Sequence, residues 1–255
     1  MTDLRFLVIQ HEDDCPPEWF GQWWAEIGVS VDVLAGHRGD PVPASLSDHD
    51  ALVVLGGEMG ANDDAGHAWL TPTKALIRDT VARDRPFLGI CLGHQLGAVA
   101  LGGEVRVNPT GHAVGLTPVT RTEAGRADPL LGPVVDGTEV IQWNNDVVIR
   151  LPEVATRLAT APDGSVQAAR FGRWAWGVQF HPETSPTQFR SWTIDKPSAT
   201  APREDGIDVA VVSAAIEAAE VRLRADWRPL AERFAALARR AAAAPTGRLE
   251  DSPTG

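Results

Sequence analysis

Cys91 sits inside Gly89-Ile-Cys-Leu-Gly93, where a short apolar run, Phe87–Ile90, meets a helix-like pattern over residues 95–101. A thiol there would occupy the sharp turn between a buried strand and a helix. Glycines two positions before and after it remove the side chains that would hold strand and helix apart around so tight a bend. The turn would lift the sulfur to the carboxyl end of a strand, where ligands bind in open α/β sheets. It would also set it at a helix N-terminus, whose dipole favours thiolate. The competing reading is a buried cysteine acting as a small hydrophobe, the commoner fate of a single intracellular cysteine; the flanking glycines favour the reactive one. Downstream, His181-Pro-Glu183 closes another apolar stretch. In extended chain, residues two apart point the same way, so imidazole and carboxylate become neighbours, and Pro182 stiffens the link. A cysteine beside a carboxylate-oriented imidazole can act as a nucleophile in acyl transfer, the carboxylate fixing the tautomer and steadying the imidazolium. Alone, His-Pro-Glu reads as a surface turn. Gly56-Gly57, after the apolar residues 51–55, is either a plain turn or a bare backbone N–H available to an oxyanion forming beside Cys91.

The elements that must position these groups can be read along the chain. Residues 4–9 suit a strand buried on both faces, and residues 10–17 interrupt it with polar side chains and prolines. Residues 18–27 carry Trp19, Phe20, Trp23 and Trp24 at helical spacing, Gly28 ends the pattern, and residues 30–34 alternate as a second strand. The aromatic cluster is read as core packing. Residues 51–55 form a third strand. The loop at 62–66 has paired acids but no spaced ligand set, and is expected to be solvated. A helix over 71–83, with Pro72 in its first turn, leads to the strand and turn of Cys91. Beyond residue 101, short segments at 104–108, 116–121 and 139–142 predict antiparallel additions, with one helical turn at 128–132. Residues 155–161 and 165–171 flank Pro162-Asp-Gly164, a hairpin signal, and 174–180 is a further strand. Residues 184–207 are proline-rich, with a short helix around 188–194, and are the expected flexible region. Two Ala-rich helices over 209–224 and 227–244, broken near Pro229, precede a disordered tail at 245–255.

A chain of 255 residues, 44% of them hydrophobic, can supply the core of one large α/β domain. With a net charge of −11 and no Lys/Arg run, it is expected to meet small molecules or proteins, not nucleic acid or an anionic membrane. Two cysteines make no disulfide scaffold. Residues 1–10 lack the pattern of a secretory signal, and the apolar runs fall short of a membrane span, so a soluble cytoplasmic protein is expected. His11, His37, His49, His67, His94 and His112 show no ligand spacing and are expected on the surface or in loops, so neither a metal nor a cofactor is expected. Cys15, beside acids and prolines, should have a raised pKa and be inert.

Together, Gly89-Ile-Cys-Leu-Gly-His-Gln95, the upstream Gly56-Gly57 and the downstream Gly177-Val-Gln-Phe-His-Pro-Glu183 resemble the class I (triad) glutamine amidotransferases. The likeness is greatest to stand-alone proteins similar to the glutaminase domain of GMP synthase. Three blocks in family order and spacing make it specific, over about residues 4–190. The resemblance implies an α/β, flavodoxin-like, doubly wound and mostly parallel sheet, to which this chain adds antiparallel strands and C-terminal helices. It also implies hydrolysis of the glutamine side-chain amide through a γ-glutamyl thioester on Cys91. His181 would then be the general acid/base, Glu183 its orienter, the N–H groups of Gly57 and Leu92 the oxyanion hole, and Gln95 a substrate-holding residue. Where relatives close to GMP synthase carry His-Gly-Asp, this chain reads Asn144-Asn145-Asp146; Asp146 keeps the position that would meet the substrate's amino group. Either glutamine or a γ-glutamyl compound fits such a site. The chain is therefore an amidotransferase feeding ammonia to an acceptor or partner synthetase, or a γ-glutamyl peptide hydrolase with the same triad. A non-catalytic regulatory relative would leave the joint presence of the triad and Gln95 without a reason. About 65 residues follow position 190, too few for a synthetase domain, so a partner would be a separate chain. The expected plan is an amidotransferase-like domain over 1–190, a helical extension packed on it over 191–244, and the tail.

Overall fold

Apolar residues with few charges make Leu4–Gln10 a strand fit for the inside of a sheet, and it forms β1, buried except at Arg5 and Gln10. The computed structural model describes residues 4–194 and 202–243. From β1 the chain passes through α1 (Glu18–Glu26) to β2 (Val29–Ala35), which lies parallel to β1 with Phe6 opposite Val31. β3 (Ala51–Val54) takes the other side of β1, and α2 (Leu70–Ala82) leads to β4 (Phe87–Ile90) and α3 (Leu92–Ala100). There follow β5 (Glu104–Val107), β6 (Ala113–Pro118), β7 (Thr120–Arg121), α4 (Glu123–Ala127), β8 (Glu139–Asn144) and β9 (Asp146–Arg150). The hairpin β10 (Thr156–Thr160) and β11 (Val166–Gly172), then β12 (Ala175–Val178) and α5 (Pro186–Trp192), bring the chain back to the sheet centre.

The main sheet has eight strands in the order β2-β1-β3-β4-β12-β11-β10-β7. β2, β1, β3, β4 and β12 are parallel, whereas β11, β10 and β7 extend the sheet antiparallel. This is the α/β, flavodoxin-like, doubly wound sheet with antiparallel additions that the motifs imply. The ladders β5–β9 and β6–β8 stand apart from it. Side-chain alternation along β1 sends Leu4, Phe6 and Val8 to a core on one face and Leu7 and Ile9 to a core on the other. The α1 tryptophans belong to the first core, with Trp19, Phe20, Trp23 and Trp24 all buried. α2 and α3 cover the second.

The C-terminal helices differ from expectation. They run Val209–Ala218 and Glu220–Ala243, so the break falls at Ala219, and Pro229 lies inside the long helix instead of ending it. An interior proline costs about 3 kcal/mol. Burial of Trp227 against Phe180, of Phe234 against Phe6 of β1 and Trp24 of α1, and of Leu230 in the same core outweighs that cost at ~25 cal/mol per Å² of apolar surface. Trp24 Nε1 donates to the Ala231 carbonyl at 3.0 Å, and Trp227 Nε1 donates to that of Glu139 at 3.0 Å. The one helical turn expected at 128–132 forms, the Gly132 N–H donating to the Asp128 carbonyl at 2.8 Å and Asp128 Oδ1 accepting from the N–H groups of Leu130 and Leu131. A helix that went unread, Glu123–Ala127, precedes it, with Thr122 as its cap accepting from the Gly125 N–H at 3.0 Å. Residues 116–121 divide between β6 and β7 in different sheets, separated at Val119 after Pro118. β9 went unread, its two core residues Val147 and Val148 being too short an apolar signal. In the stretch 184–207, residues 186–192 are helical, while 195–201 and the tail at 245–255 lie outside the described residues. No helix among the described residues is long and apolar enough to cross a membrane.

Candidate active site

The turn between β4 and α3 carries Cys91 at φ 49° and ψ −105°, a conformation that non-glycine residues adopt only when their surroundings impose it. The surroundings here are backbone. A Cβ on Gly89 would lie 2.4 Å from the Gly93 carbonyl oxygen, and one on Gly93 would lie 1.9 Å from that of Val54. The Cys91 N–H donates to the Val178 carbonyl at 2.9 Å, and its own carbonyl accepts from the Gln95 N–H at 3.1 Å. β12 on one side and α3 on the other thus hold the residue. α3 begins at Leu92, three residues earlier than its apolar periodicity shows, so Cys91 is its N-cap.

The chain leaving β12 supplies the second group. The His181 N–H donates to the Ile141 carbonyl at 2.9 Å, and the Glu183 carbonyl accepts from the Trp19 N–H at 3.0 Å. Between these anchors, His181 Nδ1 lies 2.8 Å from Glu183 Oε1, with both side chains buried. The imidazole lies beside the Cys91 side chain, both bordering Gly56. Burial alone would push the imidazole down; the charges of Cys91 and Glu183, with the hydrogen bond to Glu183, outweigh it and raise the group from 6.5 to about 10. Gly56 leaves room for this contact, since a Cβ there would lie 2.8 Å from His181 Cε1 and 3.7 Å from Cys91 Cβ.

Cys91 and His181 open into a cleft of about 390 Å³. Gly57, Gln95, Asn144, Asn145 and Asp146 line it as well, so the residues singled out from sequence converge there from loops and elements far apart in the chain. Glu183 stands behind His181 and is not part of the lining. Leu92 contributes at the edge of the turn, where its side chain would meet a Cβ on Gly57 at 3.1 Å. Among the described residues no backbone carbonyl accepts from the N–H of Gly57 or of Leu92. The Asp146 carbonyl accepts from Gln95 Nε2 at 2.9 Å and from Asn144 Nδ2 at 3.1 Å, and the Asn145 carbonyl accepts from the Asn108 N–H at 2.7 Å.

Several residues of the site escaped the sequence reading. Asp63, assigned to a solvated loop, lines the cleft, and its Oδ2 accepts from the Gly60 N–H at 2.7 Å. Burial first, and the charge of Asp63 second, raise the carboxyl of Asp146. Trp143 and Trp192 form an aromatic wall, the Trp192 ring 4.7 Å from that of His181. Gln179 is fully buried, its Nε2 3.7 Å from Cys91 Sγ. Period-two alternation through 179, 181 and 183 was the signal that could have found it. Cys15 also reaches the cleft; burial first, then Glu12, raises its thiol well above the ordinary range, and its Sγ donates to Glu12 Oε1 at 3.2 Å. His11 and His94 are not on the surface or in loops at the surface but fully buried. His11 accepts from Trp69 Nε1 at 3.0 Å, and His94 packs on the Phe171 ring at 5.5 Å, under Gly177. His11 is covered by Trp69 and Gly57, and His94 lies within α3 against Phe171 of β11 and Gly177 of β12, neighbours that the residues flanking them in sequence do not reveal.

The family model for "Glutamine amidotransferase class-I" matches residues 21–196. The chain is 34% identical to a subunit of glutamine-hydrolyzing GMP synthase from Halobacterium salinarum, over 63% of this chain and 79% of that protein. It is 30% identical to "Gamma-glutamyl peptidase 5" of Arabidopsis thaliana, over 64% and 66%. The crystal structure of a glutamine amidotransferase from Thermotoga maritima superposes with a TM-score of 0.81 at 28% identity, covering 92% of this chain and 99% of the other. On this match, spanning the strained cysteine turn and the histidine and glutamate that face it, the chain belongs to the class I glutamine amidotransferases.

Proposed function

We propose that this chain hydrolyses the side-chain amide of glutamine through a γ-glutamyl thioester on Cys91 and delivers the ammonia to an acceptor or a partner synthetase. The observation that carries this is the buried Cys91–His181–Glu183 arrangement opening into a cleft lined by Gln95 and Asp146. His181 takes the thiol proton, and the sulfur attacks the γ-carbonyl carbon. The oxyanion that forms is received by the N–H groups of Gly57 and Leu92. The C–N bond then breaks as His181 returns its proton to the nitrogen, releasing ammonia. In the second half His181 deprotonates a water, which attacks the thioester; the C–S bond breaks and glutamate leaves. Glu183 steadies the imidazolium in both halves. Asp146, with Asp63 beside it, receives the substrate α-ammonium, and Gln95 and the Asn144-Asn145 pair shape that end of the cleft. A cytoplasmic setting, in which thiols stay reduced, suits such a nucleophile.

One observation favours a second reading, hydrolysis of a γ-glutamyl peptide by the same groups. The imidazole that protonates the leaving nitrogen packs against Trp192, so the leaving side of the cleft has an apolar wall that ammonia does not need. The deciding experiment is steady-state hydrolysis of glutamine against a panel of γ-glutamyl amides and peptides by the isolated chain, repeated with cell extract to supply a partner. Glutamine turnover that rises with extract is the expected result. A kcat/KM for a γ-glutamyl peptide ~100-fold above that for glutamine, about 2.7 kcal/mol of transition-state binding, and unchanged by extract, would transfer the assignment to the peptidase.

A further inference from the structure

Gln179 lies between two residues of the proposed site. Its Nε2 is 3.7 Å from Cys91 Sγ, and its Oε1 accepts from Gln95 Nε2 at 3.3 Å. The Gln95 nitrogen carries two hydrogens, and the other goes to the Asp146 carbonyl at 2.9 Å. A side-chain amide has nearly the same shape when turned over, so its chemistry depends on which end faces the sulfur. Both Gln95 N–H groups are committed to oxygen acceptors, one of them a backbone carbonyl that cannot turn over. Gln179 must therefore present Oε1 to Gln95 and its NH₂ to Cys91. The reverse orientation would set N–H against N–H at one end and an oxygen lone pair against the sulfur at the other, in a position fully closed to water.

We propose that Gln179 is a further catalytic residue, whose Nε2–H donates to the Cys91 sulfur and stabilises it as thiolate, and that Gln95 is the positioning residue that fixes this orientation. The proposal rests on the reading of Cys91 as nucleophile. An amide N–H cannot accept the thiol proton, so Gln179 supports the thiolate without competing with His181 as base. Hydrogen bonds to an ionised acceptor are roughly twice as strong as neutral ones. The contact therefore strengthens whenever charge returns to sulfur, including the moment the thioester C–S bond breaks, and assists both formation of the nucleophile and its departure.

The titratable groups around the sulfur are His181, with Glu183 behind it, and Glu12, Cys15, Glu58, Asp63, His112 and Asp146, which line the same cleft. The test compares the full chain with Gln179→Met, of similar length but without a donor, and with Gln95→Met, which leaves Gln179 in place but free to turn. Iodoacetamide alkylation of Cys91 is followed across pH with the adduct mapped by mass spectrometry, beside kcat and KM for glutamine. Gln179→Met is expected to slow alkylation at neutral pH roughly tenfold, to move the acid limb of the profile up by about one pH unit, and to lower kcat with KM within about twofold. Gln95→Met is expected to give a smaller shift in the same direction. An unchanged alkylation profile in a cooperatively melting Gln179→Met protein overturns the proposal, as does an effect confined to KM. Should Gln179→Met not fold, Gln95→Met decides, an unshifted profile overturning the proposal and an upward shift supporting it. If the unaltered protein is alkylated at Cys15 in preference to Cys91, the nucleophile assignment itself fails, which separates the two failures.

Discussion

Nδ1 of His181 lies 2.8 Å from Oε1 of Glu183, with 3% and 5% of the two side chains exposed, while Glu183 Oε2 has no hydrogen-bond partner among the described residues. The carboxylate therefore acts on the imidazole through one oxygen, from a site too closed for water to take over. Glu183→Gln keeps the shape and removes the charge, and is expected to lower kcat strongly, though by less than loss of either reacting group. Cys91→Ala and His181→Ala remove the proposed nucleophile and base, and should each lose about 10⁴-fold or more. Steady-state kinetics on the three variants checks the order; an active His181→Ala enzyme would dismiss the triad.

The strained turn makes a prediction about stability. A methyl group at Gly93 would sit 1.9 Å from a backbone oxygen, whereas at Gly66 the nearest atom is 3.8 Å away and the position needs no special backbone angle. Gly93→Ala is expected to cost about 3 kcal/mol or more, and Gly66→Ala about 0.5 kcal/mol or less, in denaturant unfolding. Equal midpoints for the two variants would show that the turn is not under backbone constraint.

Buried histidines set an acid limit. Burial lowers His94 from 6.5 to about 3; burial, then the charges of His37 and His67, lower His11 likewise. Both are neutral when folded, but the unfolded chain takes up their protons as pH falls below 6.5. Their stabilisation is thus present above pH 6.5 and lost progressively toward pH 3. His181 has the opposite sign: raised to about 10, it contributes fully below pH 6.5 and loses that contribution as pH rises through 10. Thermal melts across pH should show Tm falling between pH 6.5 and 3, and His94→Phe should flatten that fall if it folds. A Tm independent of pH over that interval would contradict the burial of both rings in solution.

At the far end of the cleft, burial first and then repulsion from Asp63 raise the Asp146 carboxyl. An α-ammonium between the two carboxylates relieves the repulsion only while Asp146 is ionised. KM for glutamine is therefore expected to rise as pH falls toward that raised value, with kcat changing less. Asp63→Asn should move the onset to lower pH, and Asp146→Asn should raise KM at neutral pH by roughly ten- to a hundredfold. A KM insensitive to Asp146→Asn would remove this carboxylate from substrate binding.

The sequence by itself determined the parts whose signals are local. Short continuous apolar runs marked β1, β3 and β4, tryptophans at helical spacing marked α1, and the glycines around Cys91 announced a turn that admits no side chain on either flank. The one-residue separation of His181 from Glu183 already suggested imidazole beside carboxylate, and the pair does meet, although Pro182 and Glu183 form a turn and not the extended chain expected. Tertiary structure decided what depends on which distant surfaces meet. Pro229 remains inside a helix because Trp227, Leu230 and Phe234 find a core to fill, a gain that no window around the proline contains. Asp63 leaves its apparent role in a polar loop only because the chain from β8 to β9 brings Asp146 to the same cleft. Gln179 was not singled out from the sequence, where it falls within the strand pattern over 174–180. Its amide acquires a direction only when Gln95, 84 residues away in sequence, spends both its hydrogens on neighbours and leaves the Gln179 NH₂ facing the sulfur. Hydrogen-bond orientation is a property of the assembled network, because each donor is assigned by what its partner has already accepted.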